Sequence, residues 1–223
     1  MDKISGLLFD LDGVIVDTAK YHFLAWKKLA EELNIPFSEQ DNERLKGVSR
    51  MASLGIILEI GGRTMSDEEK NSCCDKKNRL YVSYIEKLKK DEILPGVKEF
   101  LVDARKNGFH TALGSASKNS KLILDKLEIN NLFDAVVDGT KVSKAKPDPE
   151  VFEQGAKELN IPFERCIVFE DAAAGIKAAH NAGMKAVGIG SEKILFEADL
   201  VIQGFKDITI ADIIKKLNIV VKK

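Results

Sequence analysis

The sequence predicts an α/β protein, with a doubly wound, Rossmann-like parallel sheet as its core and an α-helical cap domain inserted into it. Three observations point there. A short apolar run, Ile4 to Phe9, ends abruptly at Asp10-Leu11-Asp12-Gly13, as a buried parallel strand does when it enters a glycine turn. Roughly 75 residues of helical periodicity then pass before any new strand. From Pro95-Gly96 onward, short apolar runs alternate with helical stretches, the rhythm of βαβ units. The economical division places residues 1–15 and 93–223 in the α/β core and residues 16–92 in the cap.

Each element has its own signal. Asp17 and Thr18 can cap a first helix in which His22, Trp26, Leu29, Ala30 and Leu33 recur at helical spacing. A second helix opens at Ser38. A third carries Leu54, Ile57 and Leu58 and stops at Gly61-Gly62. A fourth opens with the capping-box pair Ser66 and Glu69 and runs through Tyr81, Tyr84, Ile85 and Leu88. In the core, helix Val97 to Lys106 ends at Gly108, and strand Phe109 to Gly114 follows. Helix Asn119 to Leu127 and strand Ala135 to Val137 come next. A further helix begins at Pro149, where proline suits the first turn. Strand Cys166 to Phe169 leads into helix Ala172 to Ala182, and Ala186 to Ile189 reads as one more strand. The tail, Val220 to Lys223, reads as frayed or as an edge segment.

Composition narrows the function. Hydrophobic residues at 44 % and charged residues at 31 % fit a globular chain. With 34 basic and 35 acidic side chains the net charge is −1, which gives no global pull toward nucleic acid or an anionic membrane. Anion binding must therefore come from local placement of charge. Cys73, Cys74 and Cys166 match no zinc spacing and are odd in number, so they read as reduced thiols. The first apolar run is too short and too soon acidic for a signal peptide or a spanning helix. A monomeric cytoplasmic protein with a small-molecule partner, and neither nucleic acid nor membrane, is the expectation.

Ligands of open parallel sheets bind at the carboxyl ends of the strands. Four segments put polar residues there: Asp10-Leu11-Asp12, Ser115-Ala116-Ser117, Lys146-Pro147 and Glu170-Asp171. Carboxylates in such a crowd repel unless a cation separates them, and their hard oxygens suit Mg²⁺. Asp10 and Asp12 are two apart, so extended backbone puts both on one side. One can attack phosphorus while the other handles a proton. Ser115 and the N–H groups after it suit phosphate oxygens, and Lys146 can offset the charge of nucleophile and phosphate together. Such a set favours in-line phosphoryl transfer. Singly, each motif is commonplace: a D-x-D is mostly a solvated loop, Ser-Ala-Ser a cap, Lys-Pro surface, Glu-Asp a helix-dipole partner. All four follow apolar strands in the order a doubly wound fold needs, and that agreement carries the reading.

The segments Phe9-Asp-Leu-Asp-Gly-Val14, Ser115-Ala-Ser117, Lys146-Pro147 and Glu170-Asp171 resemble the four motifs of the haloacid-dehalogenase superfamily of phosphotransferases, and the resemblance spans nearly the whole chain. It implies that Asp10 is phosphorylated, that Asp12 is the general acid and base, and that Ser115 and Lys146 hold the phosphate. It also implies Mg²⁺ as cofactor, bound by Asp10, the Asp12 backbone carbonyl, Glu170 and Asp171. Within the superfamily, Asp17-Thr18-Ala19, Tyr21-His22, Ala25-Trp26-Lys27, Leu45 to Arg50 and Ser115 to Asn119 resemble the β-phosphoglucomutase subfamily. That likeness implies interconversion of β-glucose 1-phosphate and glucose 6-phosphate through a bisphosphate. It places Arg50 on the phosphate not being transferred and His22 near the acid/base. Trp26, Lys46, Gly47, Lys76, Ala116, Ser117 and Asn119 fall around the sugar or phosphate. One departure is Ala172, where relatives often carry a hydroxyl residue.

From the residues alone, His22 can be a packed histidine, Trp26 core, Arg50 a helix-start residue in a surface pair, and Lys76 solvated. Three functions remain open: a sugar phosphomutase, a small-molecule phosphatase sharing every core residue, and a phospho-accepting signalling domain. The long helical insertion disfavours the last. The cap stretch Lys46 to Arg50, a second anion site, favours the first.

Overall fold

The computed structural model describes residues 4–45 and 48–219. The chain divides into two compact units, residues 1–17 with 89–223 and residues 18–88. The first unit is built on a parallel six-stranded sheet. Its strands are β1 (Gly6–Phe9), β2 (His110–Gly114), β3 (Ala135–Val137), β4 (Cys166–Glu170), β5 (Lys185–Ile189) and β6 (Leu200–Ile202), in the order β3-β2-β1-β4-β5-β6. β1 lies inside the sheet, and all of Gly6–Phe9 is buried, as an apolar run requires of a strand covered on both faces. It pairs with β2 in the register Gly6↔His110 and with β4 in the register Gly6↔Cys166.

Alternation along β1 divides the core into two faces. Phe9 points into an aromatic cluster with Phe100, Phe133, Phe169 and Phe205, and stacks on its register partner Phe169 at 4.7 Å between centroids. Phe100 comes from α5 (Val97–Lys106). Leu8 points to the other face, against helix α7 (Glu150–Leu159); Gly155 there has no Cβ, and one would press on the Leu8 side chain. Helix α8 (Ala173–Asn181) covers the same face through Ile176 and Ala179. Helices α6 (Ser120–Lys126) and α9 (Ile210–Lys216) complete the unit. The architecture is thus the α/β parallel-sheet core that the alternating pattern predicts.

The second unit is all helical: α1 (Ala19–Glu32), α2 (Glu39–Glu43), α3 (Arg50–Ile60) and α4 (Asp67–Ile85). Trp26, Leu29, Ala30, Leu54, Ile57, Leu58 and Cys74 form its core. Three of its helices start at serine caps. Ser38 and Ser66 close capping boxes with Asp41 and Glu69, and Ser49 Oγ accepts from the Ala52 N–H at 3.2 Å. Thr18 precedes α1 without a side-chain cap; its hydroxyl accepts instead from Tyr81 Oη at 3.1 Å.

Two elements lie beyond the sequence expectation, β6 and α9. β6 is no shorter than β3, but no helix separates it from β5, so the alternation of strand and helix does not announce it. α9 does announce itself, through a Thr209/Asp212 capping box. The tail Val220 to Lys223 lies outside the described residues, as do Lys46 and Gly47. Among the described residues no helix is long and apolar enough to cross a membrane, and Cys73, Cys74 and Cys166 are free.

Candidate active site

The strand order brings the four polar segments to neighbouring strand ends. Asp10 follows β1, Ser115 follows β2, Lys146 lies in the loop after β3, and Glu170 is the last residue of β4. They converge on one cation. Lys146 Nζ donates to Asp10 Oδ1 and Glu170 Oε1, each at 2.5 Å, and to the Gly114 carbonyl at 3.3 Å. It also lies 4.7 Å above the Phe152 ring. Asn181 of α8 ties down the loop that carries this lysine by donating to the Pro147 carbonyl at 2.9 Å. Glu170 Oε2 accepts from the Ala172 N–H at 2.9 Å, a backbone bond that does not depend on the side chain at this position.

Hydroxyls shape the neighbouring loop. Ser115 is buried, and its Oγ accepts from the Ser117 N–H at 3.1 Å while keeping its own proton for another acceptor. Ser117 Oγ accepts from the Asn119 N–H at 3.3 Å, and Ser120 Oγ donates to the Ser117 carbonyl at 2.7 Å. Ala116 is exposed in this loop.

Electrostatically the cluster is short of positive charge. Asp10, Asp12, Glu170 and Asp171 stand against Lys146. Burial pushes Asp10 up to about 8; Lys146 pulls it down, while Glu170 and Asp12 add to the push. Burial likewise raises Asp171 to about 7, with Glu170 and Asp12 reinforcing and Lys146 opposing. Burial works against the Lys146 charge, but Asp10 and Glu170 outweigh it and hold the ammonium above its ordinary range.

A hard divalent cation fits this donor set. Among the described residues no three carboxylate, imidazole or thiol side chains form a preformed cage. The carboxylates are nonetheless pressed into places that only glycine leaves open: a Cβ on Gly13 would run into the Asp171 carboxylate, and one on Gly175 into that of Glu170. Gly13 also has φ of +80°, which side-chain-bearing residues rarely adopt. Oxygen-only ligands with surplus negative charge suit Mg²⁺.

The helical unit carries a second charged cluster. Lys77 on α4 is 3 % exposed, and its Nζ lies 2.7 Å from His22 Nδ1 on α1. An ammonium only donates, so Nδ1 accepts and the ring proton is on Nε2. The same Nζ lies 4.8 Å from the Trp26 ring and 4.9 Å from Tyr81. Burial, followed by the charges of Lys77 and Arg50, lowers His22 to about 3, so it is neutral at physiological pH. Arg50 opens α3, and its Nη2 donates to Asn78 Oδ1 at 2.9 Å. Lys76 points elsewhere: its side chain is 57 % exposed and pairs with Glu32 at 2.6 Å. Trp26 is buried in the core of this unit.

Lys77 and Asn78 are the residues that the sequence reading passed over. The signal was there: Cys74, Tyr81 and Ile85 mark the buried stripe of α4, and positions 77 and 78 fall on it.

Comparison with known proteins identifies the family. Residues 7–189 match the family described as haloacid dehalogenase-like hydrolase. Over 209 residues the chain is 44 % identical to a β-phosphoglucomutase of Bacillus subtilis, covering 93 % of this chain and 92 % of that protein. Over 206 residues it is 30 % identical to a phosphorylated carbohydrates phosphatase of Thermotoga maritima, covering 89 % and 93 %. A crystal structure of β-phosphoglucomutase from Clostridium difficile matches with a TM-score of 0.90 at 43 % identity, covering 96 % of this chain and 97 % of that one.

Proposed function

The chain belongs to the haloacid dehalogenase-like hydrolases, and on that premise we propose that it is a sugar phosphomutase, interconverting β-glucose 1-phosphate and glucose 6-phosphate through an aspartyl-phosphate enzyme and a bisphosphate intermediate. In this reading Asp10 is the nucleophile. Its carboxylate oxygen attacks phosphorus as the bond from phosphorus to the leaving sugar oxygen breaks. Asp12 gives its proton to that leaving oxygen, and takes one back from the attacking sugar hydroxyl in the reverse sense. Lys146 offsets the negative charge that gathers when a phosphate meets Asp10, and the buried Ser115 hydroxyl offers a proton to a phosphate oxygen. Ser117 and Asn119 line the same loop as phosphate or sugar contacts. Asp10, the Asp12 carbonyl, Glu170 and Asp171 would hold Mg²⁺, whose charge lets the buried carboxylates stay ionised and draws electron density from the phosphoryl oxygens.

The observation that carries the mutase reading is the cationic cluster of the helical unit. A phosphatase needs one anion site. A mutase handles an intermediate with a phosphate at each end and needs two. Arg50 supplies the second, because a planar guanidinium grips phosphate bidentately, and Lys77 adds charge beside a histidine that stays neutral. The alternative, a sugar-phosphate phosphatase, draws support from the Thermotoga maritima relative.

A coupled assay of β-glucose 1-phosphate, with and without a trace of the 1,6-bisphosphate, separates the two. The expected result is many turnovers to glucose 6-phosphate with little free phosphate, and Arg50→Ala losing most of that flux while still forming aspartyl phosphate from acetyl phosphate. Stoichiometric release of inorganic phosphate would assign the chain to the phosphatases.

A further inference from the structure

A guanidinium that must grip a phosphate faces two demands. It has to be held in one orientation, and it has to keep its charge. A carboxylate neighbour meets the first and defeats the second, because the ion pair it forms competes with the ligand.

Arg50 meets both. Its backbone is fixed twice: Ser49 caps the turn it begins, and Cys74 Sγ donates to the Arg50 carbonyl at 3.8 Å. Its side chain reaches α4, where Nη2 donates to Asn78 Oδ1 at 2.9 Å. Arginine has no acceptor, so the amide must present its oxygen. Asn78 is half-buried, one residue from the buried Lys77 and four from Cys74, on the stripe of α4 that packs against the rest of the unit. A polar residue in such a stripe costs stability unless it is satisfied, so an apolar residue would serve packing alone better.

We infer that Asn78 is a positioning residue: its amide oxygen orients the Arg50 guanidinium without neutralising it, so that an incoming phosphate dianion meets a cation already aimed. The inference rests on the proposed role of Arg50 as anchor for the second phosphate. The downward push of Arg50 on His22 fits a charge that remains felt within the cluster.

The test compares Asn78→Ala, Asn78→Asp and Arg50→Ala with the wild type. For each, KM is measured for β-glucose 1,6-bisphosphate, whose second phosphate needs the anchor, and for acetyl phosphate, which has no second phosphate. The readout is the ratio of the two. Loss of one charge-assisted hydrogen bond predicts a ratio raised about tenfold in Asn78→Ala. It should rise further in Asn78→Asp, whose carboxylate competes for the guanidinium. Melting temperatures run alongside, and Asn78→Ser replaces any variant that melts well below the wild type. A ratio unchanged in the Asn78 variants but raised in Arg50→Ala overturns this inference alone. So does an aspartate no worse than alanine, or equal loss with both substrates, which would mark a merely structural role. A ratio unchanged in Arg50→Ala overturns the anchor itself and this inference with it.

Discussion

The role proposed for Asp10, attack on phosphorus, requires a carboxylate stripped of water and yet ionised, and these demands oppose each other. Burial lifts it to about 8, so a single lysine does not fully offset the loss of hydration. Asp10→Asn removes the proposed nucleophile and one carboxylate from the crowd together. Turnover should fall by several orders of magnitude while the melting temperature holds or rises, as rapid-quench assay and calorimetry will show. Asp171→Ala should raise the Mg²⁺ concentration for half-maximal rate by about tenfold or more. His22 allows a prediction about stability. Its folded pKa, about 3, lies below the ordinary 6.5, so the unfolded chain takes up a proton first as pH falls. Stability from this residue is complete above pH 6.5 and is lost as pH drops toward 3. Wild type minus His22→Gln should show a difference on the order of 1 kcal/mol developing by pH 5, with partial exposure allowed for. A flat difference would mean that the ring is not held neutral. At this scale the sequence was legible where a strand ended in charge. It was less so at Lys76 and Lys77, where one residue is a rotation of about 100° around the helix and separates solvent from the interior.

Elements matter here as holders of single side chains. The Phe9–Phe169 stack joins β1 and β4 one residue before Asp10 and Glu170, so apolar packing fixes the spacing of two acidic groups that would otherwise separate. Helix α4 does the same for Lys77 and Asn78, and its start depends on the Ser66/Glu69 box, with the Glu69 N–H donating to Ser66 Oγ at 3.3 Å. Ser66→Ala should cost about 1 kcal/mol, a drop of roughly 2–4 °C in melting temperature by calorimetry. Helix boundaries were the most readable features of this sequence, because Ser38 and Ser66 at two starts and the glycines at 61 and 62 at one end carry their geometry in residue type. The sheet edge was the least readable. β6 makes sense only beside β5, through Val187↔Leu200 and Ile189↔Ile202, and no local pattern in three residues encodes that partner.

For the whole molecule, charge balance and scattered surface hydrophobics set expectations about association. Among the described residues the large exposed apolar side chains are Leu24, Val48, Met51, Ile194 and Phe196, spread over separate segments. A stable dimer would need a broader apolar face. Sedimentation at micromolar concentration should therefore give 24.7 kDa, and a doubled mass would refute the monomer.

The pairing of β1 has a consequence during synthesis. This strand waits for partners that lie far along the chain: its register with β2 begins at His110, and its register with β4 begins at Cys166. At ribosomal speeds of about 5–20 residues per second, β1 leaves the tunnel roughly 8 to 30 seconds before β4 can close its second edge. The helical segment 18–88 has all its own contacts in hand well before then and can fold while the strand waits. Until β4 arrives, Leu7, Leu8 and Phe9 form an uncovered adhesive strip, and that interval is when a holding chaperone would matter most to the nascent chain.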